Sequence, residues 1–223
     1  MRDKAIFLDF DGTLTNGVFH IWKFLWRISG YSITKNSYYA NYKKAFLEGK
    51  FSYSEWCEKS LKFFKNKGLT KKKILNPTRN IKLLKNVKKF IKILHKRKFK
   101  IYILSGNFKE IIAKALGKSI VSKISHIQAN EFEFKNGKLE NIIAKDCDYD
   151  SKPKFVEKVI RENNFDKNRV IFIGNGKNDE QVKNVGIKTI CINAEETDYK
   201  DKNCWNNYVF SNDIMDTLKF IDI

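Results

Sequence analysis

The sequence predicts an α/β fold with a mainly parallel sheet, and two observations carry that expectation. Five apolar runs have the length of strands: Ala5 to Asp9, Lys100 to Leu104, Val170 to Ile173, Ile187 to Ile192 and Tyr208 to Phe210. Longer stretches of helical period separate them, the alternation from which strand–helix–strand units are built. Each of the first three runs leads into a polar turn containing glycine. Because ligands in open α/β sheets bind outside the carboxyl ends of the strands, these three turns are expected to meet in one site.

The segment between the first two strands, from about Thr15 to Thr78, reads as a helical insertion, a small cap over the core. Val18, Phe19, Trp22, Leu25 and Trp26 fall at helical spacing, as do Tyr38, Tyr42, Ala45 and Phe46, then Trp56, Ser60, Phe63 and Phe64. A long helix is expected from about Asn80 to Lys98, with Ile81, Leu84, Val87, Ile91 and Leu94 on one stripe and lysines opposite. Shorter helices are expected over Phe108 to Leu116 and from Pro153 to Asn163. Glu131-Phe132-Glu133-Phe134 and Leu139 to Ala144 flank Lys135-Asn136-Gly137-Lys138, where Asn-Gly supplies the positive φ angles of a tight reversal. A β-hairpin appended to the sheet follows. The chain then divides into a core of residues 1–14 and 79–223 and a cap of residues 15–78.

With 223 residues, 42% of them hydrophobic, the chain can bury a substantial interior. Its formal charge of +19 would suit a nucleic acid, an acidic surface or an anionic small substrate. The lysines are spread, from Lys71-Lys72-Lys73 through Lys82 to Lys100 and again near Lys200, while arginine, the better reader of phosphate forks and base edges, is scarce. A solvated lysine surface is the reading favoured over a nucleic-acid partner. Cys57, Cys147, Cys191 and Cys204 have no paired spacing, and His20, His95 and His126 are far apart, so neither a disulfide framework nor a zinc site is signalled. Met1-Arg2-Asp3-Lys4 leads straight into a strand with no signal-peptide pattern, and Val18 to Ile28 is too short and too charged to span a bilayer. The expectation is a cytoplasmic chain without membrane contact.

Chemistry is concentrated in four places. Asp9 and Asp11, at the end of an apolar strand and just before Gly12, are costly there unless a cation or another group compensates them. Ser105-Gly106-Asn107 follows the second strand and offers a hydroxyl and backbone amides for a phosphate, or merely an N-capping serine. Lys152 stands at the start of a helix, in Asp150-Ser151-Lys152-Pro153. Gly174-Asn175-Gly176-Lys177-Asn178-Asp179 follows the third strand with oxygen ligands for a hard cation. Each signal is weak alone; their order along the chain is specific.

In that order, Asp9-Phe10-Asp11-Gly12-Thr13, Leu104-Ser105-Gly106-Asn107, Lys152 and Gly174 to Asp179 resemble the four motifs of the haloacid dehalogenase superfamily. The placing of the helical insertion, the stretch Glu48 to Trp56 and the hairpin around Asn136-Gly137-Lys138 are similar to its phosphoserine phosphatase-like branch. The resemblance covers nearly the whole chain. It implies a Rossmann-like three-layer α/β/α core and a magnesium-dependent phosphatase acting on a small phosphorylated metabolite. Asp9 would attack phosphorus and form an aspartyl-phosphate; Asp11 would act as general acid and then base. An aspartate at the second position looks like a phosphatase rather than a dehalogenase or an ion pump.

By the same resemblance Ser105, Gly106, Asn107, Lys152 and Asn178 would bind the phosphoryl group. Mg2+ would be held by Asp9, the Asp11 carbonyl and Asn175, with Asp179 orienting its shell. Two departures matter. Asn175 stands where the family usually has aspartate, which points to a weakened or retuned metal site, an impaired enzyme, or an asparagine that deamidates. Phosphoserine phosphatases of this kind grip the amino acid with a cap glutamate and a cap arginine; the aligned positions here hold Val18 and Ser60. Phosphoserine is therefore the secondary substrate expectation. The first cap helix, with Trp22 on one stripe and His20 and Lys23 on another, reads first as cap core plus a solvated face, because aromatic stripes usually pack; the sharper alternative is that one of these faces lines the pocket and selects an apolar or additionally anionic ester. A nucleic-acid-end phosphatase and a non-catalytic phospho-ligand binder are the alternatives from other classes.

Overall fold

The computed structural model describes residues 3–145, 147, 151–194 and 204–221; Met1, Arg2, Asp150 and Lys200 lie outside them. In chain order the elements are β1 (Lys4–Leu8), α1 (Ile21–Ile28), α2 (Tyr38–Leu47), α3 (Tyr53–Asn66), α4 (Lys71–Leu75), α5 (Val87–Lys96), β2 (Phe99–Phe108), α6 (Lys109–Leu116) and α7 (Lys118–Val121). They continue with β3 (His126–Lys135), β4 (Lys138–Ile143), α8 (Ser151–Glu162), β5 (Val170–Gly174), β6 (Lys188–Ile192) and β7 (Asn207–Val209).

The strands form one sheet of order β4-β3-β2-β1-β5-β6-β7. All neighbours run parallel except β3 and β4, the expected hairpin, which turns through Asn136 (φ 50°) and Gly137 (φ 74°). Successive side chains of a strand point to opposite faces, and here both faces are covered, so the strands read as continuous apolar runs. Ile6, Leu8, Ile101, Ile103, Ile171 and Ile173 pack on one side with Phe90, Ile91 and Leu94 of α5 and Ile112 and Leu116 of α6. Ala5, Phe7, Tyr102, Leu104, Val170 and Phe172 pack on the other with Val156, Val159 and Ile160 of α8. The result is the three-layer α/β/α core that the sequence predicts. No helix among the described residues is long and apolar enough to cross a membrane, and the four cysteines are free thiols.

The expected long helix is shorter. Residues 77–80 form a turn of 3₁₀ helix, and the α-helix begins only at Val87. Between them the chain is extended: Leu83 bridges Thr15, Lys85 bridges Asp213, and the Leu84 N–H donates to the Leu14 carbonyl at 2.9 Å. Ile81 and Leu84 thus continue the apolar stripe from a different backbone, and left-handed Asn86 (φ 63°) turns the chain into α5. Val18 and Phe19 likewise precede α1, and the turn after β5 leads into a 3₁₀ helix, Glu180–Val185.

Helices α1 to α4 build a separate aromatic cluster. Ser37 caps α2, and Ser52 with Glu55 forms a capping box at α3. Trp26, fully buried, is ringed by Tyr31, Tyr38, Tyr39, Tyr42, Phe63 and Phe64 at centroid distances of 5.0 to 5.9 Å. The cluster reaches the sheet through Phe108, whose ring stacks on Phe132 at 3.7 Å. The hairpin is also tied to this segment by backbone: the Lys71 N–H donates to the Gly137 carbonyl and the Leu139 N–H to the Leu69 carbonyl, both at 2.9 Å. Trp26→Ala should open a cavity among these rings and lower stability by about 3–5 kcal/mol. Urea unfolding checks this, as a lower midpoint at an unchanged slope.

Candidate active site

The three glycine-containing turns meet at the carboxyl ends of β1, β2 and β5, on strands that are neighbours in the sheet. Asp9 continues β1, its N–H donating to the Ile173 carbonyl of β5 at 2.9 Å. Gly12, at φ +81°, reverses the chain directly against the third turn: a Cβ there would lie 2.2 Å from the Asn175 Nδ2. Only a glycine satisfies both that angle and that approach. The Gly12 N–H donates to the Thr15 Oγ1 at 2.9 Å and closes the turn.

Lys152 is the electrostatic centre. Its ammonium, fully buried, donates to the Asp9 Oδ1 at 2.9 Å and to the Asp179 Oδ1 at 2.5 Å. Asp179 in turn shapes the third turn, its Oδ2 accepting the N–H of Asn175 at 3.1 Å and of Gly176 at 3.3 Å. Gly174 must lack a side chain because a Cβ would stand 2.5 Å from that carboxylate. Two buried carboxylates thus share one ammonium. Burial pushes the Asp9 carboxyl up to about 8, with the Asp179 charge adding to the rise and the Lys152 ammonium opposing it.

The other face of Asp9 looks toward oxygen donors. The Thr13 hydroxyl lies 3.1 Å from the Asp9 Oδ2 and 3.3 Å from the Asn175 Oδ1, so these two oxygens converge on one point. Among the described residues no three His, Cys, Asp or Glu side chains group as a metal site. The donor set is instead one carboxylate and one amide oxygen beside a residual negative charge, which fits a hard divalent cation completing its shell with water and backbone oxygen.

The second turn is built by an irregularity. Leu104 pairs with Gln128 and Phe108 with Asn130, so four steps along β2 are matched by two along β3. Ser105, Gly106 and Asn107 are thereby lifted out of the ladder. Ser105 caps no helix: α6 starts at Lys109, and the Ser105 Oγ accepts the Asn107 N–H at 3.2 Å. That amide, expected to face a phosphate, is engaged within the turn. The Asn107 side chain donates to the Asp11 Oδ2 at 2.8 Å, holding the second aspartate beside the turn.

Two contributors were not singled out by the sequence reading. Thr13, inside the first motif, links Asp9 to Asn175 through its hydroxyl. Asn130, fully buried, donates to the carbonyls of Gly106 (2.9 Å) and Asn107 (3.2 Å) and to the Tyr53 hydroxyl (2.7 Å), so it pins the displaced turn. Nothing in the local sequence sets it apart, because Gln128 and Glu131 near it are polar as well.

These turns open into a cavity of about 360 Å³ walled by α1, α2 and α3. Asp9, Asp11, Ser105, Gly106, Asn107, Asn175 and Asn178 line it, whereas Lys152 and Asp179 stand behind the wall. On the helical side Trp22 from one stripe and His20 and Lys23 from the other all line it, so the start of α1 and the residue before it face the cavity rather than a single stripe of the helix. Val18 also reaches it, without charge, and Ser60 is not part of the lining.

The family model described as a haloacid dehalogenase-like hydrolase matches residues 4–182. The chain belongs to that family and is a hydrolase. Among solved structures, a substrate-bound phosphoserine phosphatase complex superposes with a TM-score of 0.72 at 20% identity, covering 100% of both chains. A phospho-aspartyl intermediate analogue of phosphoserine phosphatase gives 0.71 at 21% identity, again over 100% of both. The phosphoserine phosphatase from T. onnurineus in complex with NDSB-201 gives 0.64 at 18% identity, over 99% of this chain and 94% of that one. These likenesses establish a shared fold. No curated protein sequence matches the chain.

Lys152→Met tests the buried triad. Asp9 and Asp179 would then face each other uncompensated, at a cost of about 3–5 kcal/mol when both are ionised. A carboxyl whose folded pKa lies above its unfolded value contributes stability at low pH that is lost as pH rises through the folded pKa. Loss of the ammonium raises the Asp9 value further, so the deficit of the variant should be small near pH 5 and grow beyond pH 8. Thermal unfolding of both proteins across that range reads it out.

Proposed function

We propose that the chain is a magnesium-dependent phosphomonoester hydrolase acting on a small phosphorylated metabolite, with Asp9 as nucleophile and Asp11 as general acid and base. The observation that carries this reading is the Asp9–Lys152–Asp179 triad at the floor of the cavity, with Asp11 held beside it by Asn107. Residues 15–78 act as the cap that closes the cavity, and residues 1–14 and 79–223 as the catalytic core.

A phosphate monoester repels nucleophiles because its oxygens carry negative charge, so catalysis must supply alignment and counter-charge. Lys152 supplies both: its ammonium holds the Asp9 carboxylate in one orientation and offsets part of its charge. An Asp9 carboxylate oxygen attacks phosphorus in line, and the bond from phosphorus to the ester oxygen breaks as Asp11 delivers a proton to the departing alcohol. Asp11, now a carboxylate, takes a proton from water, which attacks the aspartyl-phosphate and releases inorganic phosphate and free Asp9. Ser105, the Gly106 amide and Asn178 face the phosphoryl oxygens from the cavity wall. Mg2+, held by the Asp9 carboxylate, the Asp11 carbonyl and the Asn175 side chain and steadied by Asp179, would supply positive charge that keeps Asp9 ionised at neutral pH. Asn175 leaves that site one charge poorer than an aspartate would.

Asp9→Asn should abolish magnesium-dependent hydrolysis of p-nitrophenyl phosphate, a fall of about 10³-fold or more. Measured as a magnesium titration of the same reaction, Asn175→Ala should raise the half-saturating concentration and Asn175→Asp should lower it. Unchanged magnesium dependence in both Asn175 variants removes the residue from the metal site. Turnover retained in Asp9→Asn removes the nucleophile.

A further inference from the structure

The substrate's organic part can be read from what lines the cavity beyond the aspartates. Its walls are aromatic: Trp22, Phe46 and Tyr53 face the space between the turns and the cap helices, with Trp22 edge-on to Tyr53 at 6.3 Å. A cavity of about 360 Å³ falls within the range of small-molecule pockets and has room for a ring beside the phosphoryl group. Flat or apolar bodies gain most from such walls.

The charges at the outer end have one sign. Lys23 of α1 and Lys43 of α2 line this cavity and also an adjoining hollow of about 460 Å³ that contains neither aspartate, so they stand where the two meet. His20 stands there too. Beyond them the hollow adds Lys35 and Lys44, and its single acid, Glu48, is held by Lys50 at 2.9 Å and Lys44 at 3.8 Å. Among the described residues neither Lys23 nor Lys43 is in an ion pair. Apart from Asp9 and Asp11 the cavity lining holds no carboxylate, so a substrate ammonium would meet lysines and no counter-charge.

We infer that this enzyme acts on phosphomonoesters whose leaving group pairs an aromatic or similarly flat apolar body with a second anionic group, the body lying against Trp22, Phe46 and Tyr53 and the second anion meeting Lys23 and Lys43. The inference rests on the phosphatase reading and narrows it: zwitterionic amino-acid phosphates are poor substrates. Lys23 and Lys43 are specificity-determining residues that never touch the reacting phosphorus.

Four aryl phosphates test this, with para carboxymethyl, phosphonomethyl, ethyl and trimethylammonioethyl groups, the second methylene insulating the ring from the cationic nitrogen. The two anionic esters should exceed the cationic one in kcat/KM by about tenfold, the effect of two partly exposed charge contacts, and mostly through KM. Their order relative to each other tells whether the second anion is carboxylate-like or phosphate-like. In Lys23→Met/Lys43→Met, both at exposed positions, the ratio of anionic to cationic ester should shrink at least threefold. A cationic ester that is hydrolysed as well as the anionic ones, or a ratio unchanged in the double variant, overturns the inference. Calorimetric binding of the same esters to the wild-type chain separates the two claims. Tighter binding of the anionic esters with no turnover of any ester fells the phosphatase reading and leaves the pocket assignment standing. Turnover without any anionic preference in binding or kcat/KM does the reverse.

Discussion

One buried ammonium organises the site. Lys152 reaches from the start of α8 to carboxylates on two other segments, the end of β1 and the turn after β5, and the third turn takes its shape from the second carboxylate. An isolated ion in such a place would be driven to neutrality; here the lysine is met by two aspartates, and each aspartate is held at a fixed distance from the other. The arrangement still carries one negative charge more than positive. Burial, with the Asp179 charge added, raises the Asp9 carboxyl against the opposing Lys152 ammonium, and ionisation of both carboxylates makes the floor of the cavity a place for a further cation.

The sheet explains why these segments can meet. β2, β1 and β5 are adjacent and parallel, so their carboxyl ends open on the same side, and the turns after β1 and β5 carry glycines, Gly12 and Gly174, whose missing side chain is required. At the second turn the device differs. The extra length in β2 frees Ser105 to Asn107 from the ladder, and the lost ladder bonds are replaced by the Asn130 side chain.

Much of this was legible in the sequence, for reasons that can be named. Strands covered on both faces are uninterrupted apolar runs, and the Asn-Gly hairpin announces its own backbone. Asp9, Asp11, Ser105, Lys152 and Asn175 were recognisable through their order rather than their surroundings. What escaped was whatever depends on a partner distant in sequence. Ile81 and Leu84 satisfy a helical stripe, yet Leu83 and Lys85 are drawn into pairing with Thr15 and Asp213. Ser105 has the composition of a cap and serves its own turn instead. Asn130 is one amide in a strand, and only the displaced turn opposite gives it a purpose.

The backbone bonds between the hairpin and residues 69–71 bear on how access to the cavity can change. A segment inserted between two strands has two crossings to the core and could swing about them like a door on a pair of hinges. Here the helical segment is bolted at a third place, through Leu69, Lys71, Gly137 and Leu139, on a hairpin that is itself part of the sheet. A rigid swing must either carry β4 along or break those bonds. A swing that leaves those bonds intact is confined to what lies upstream of the bolt, α1 to α3, of which the first two bring Lys23 and Lys43 to the cavity mouth.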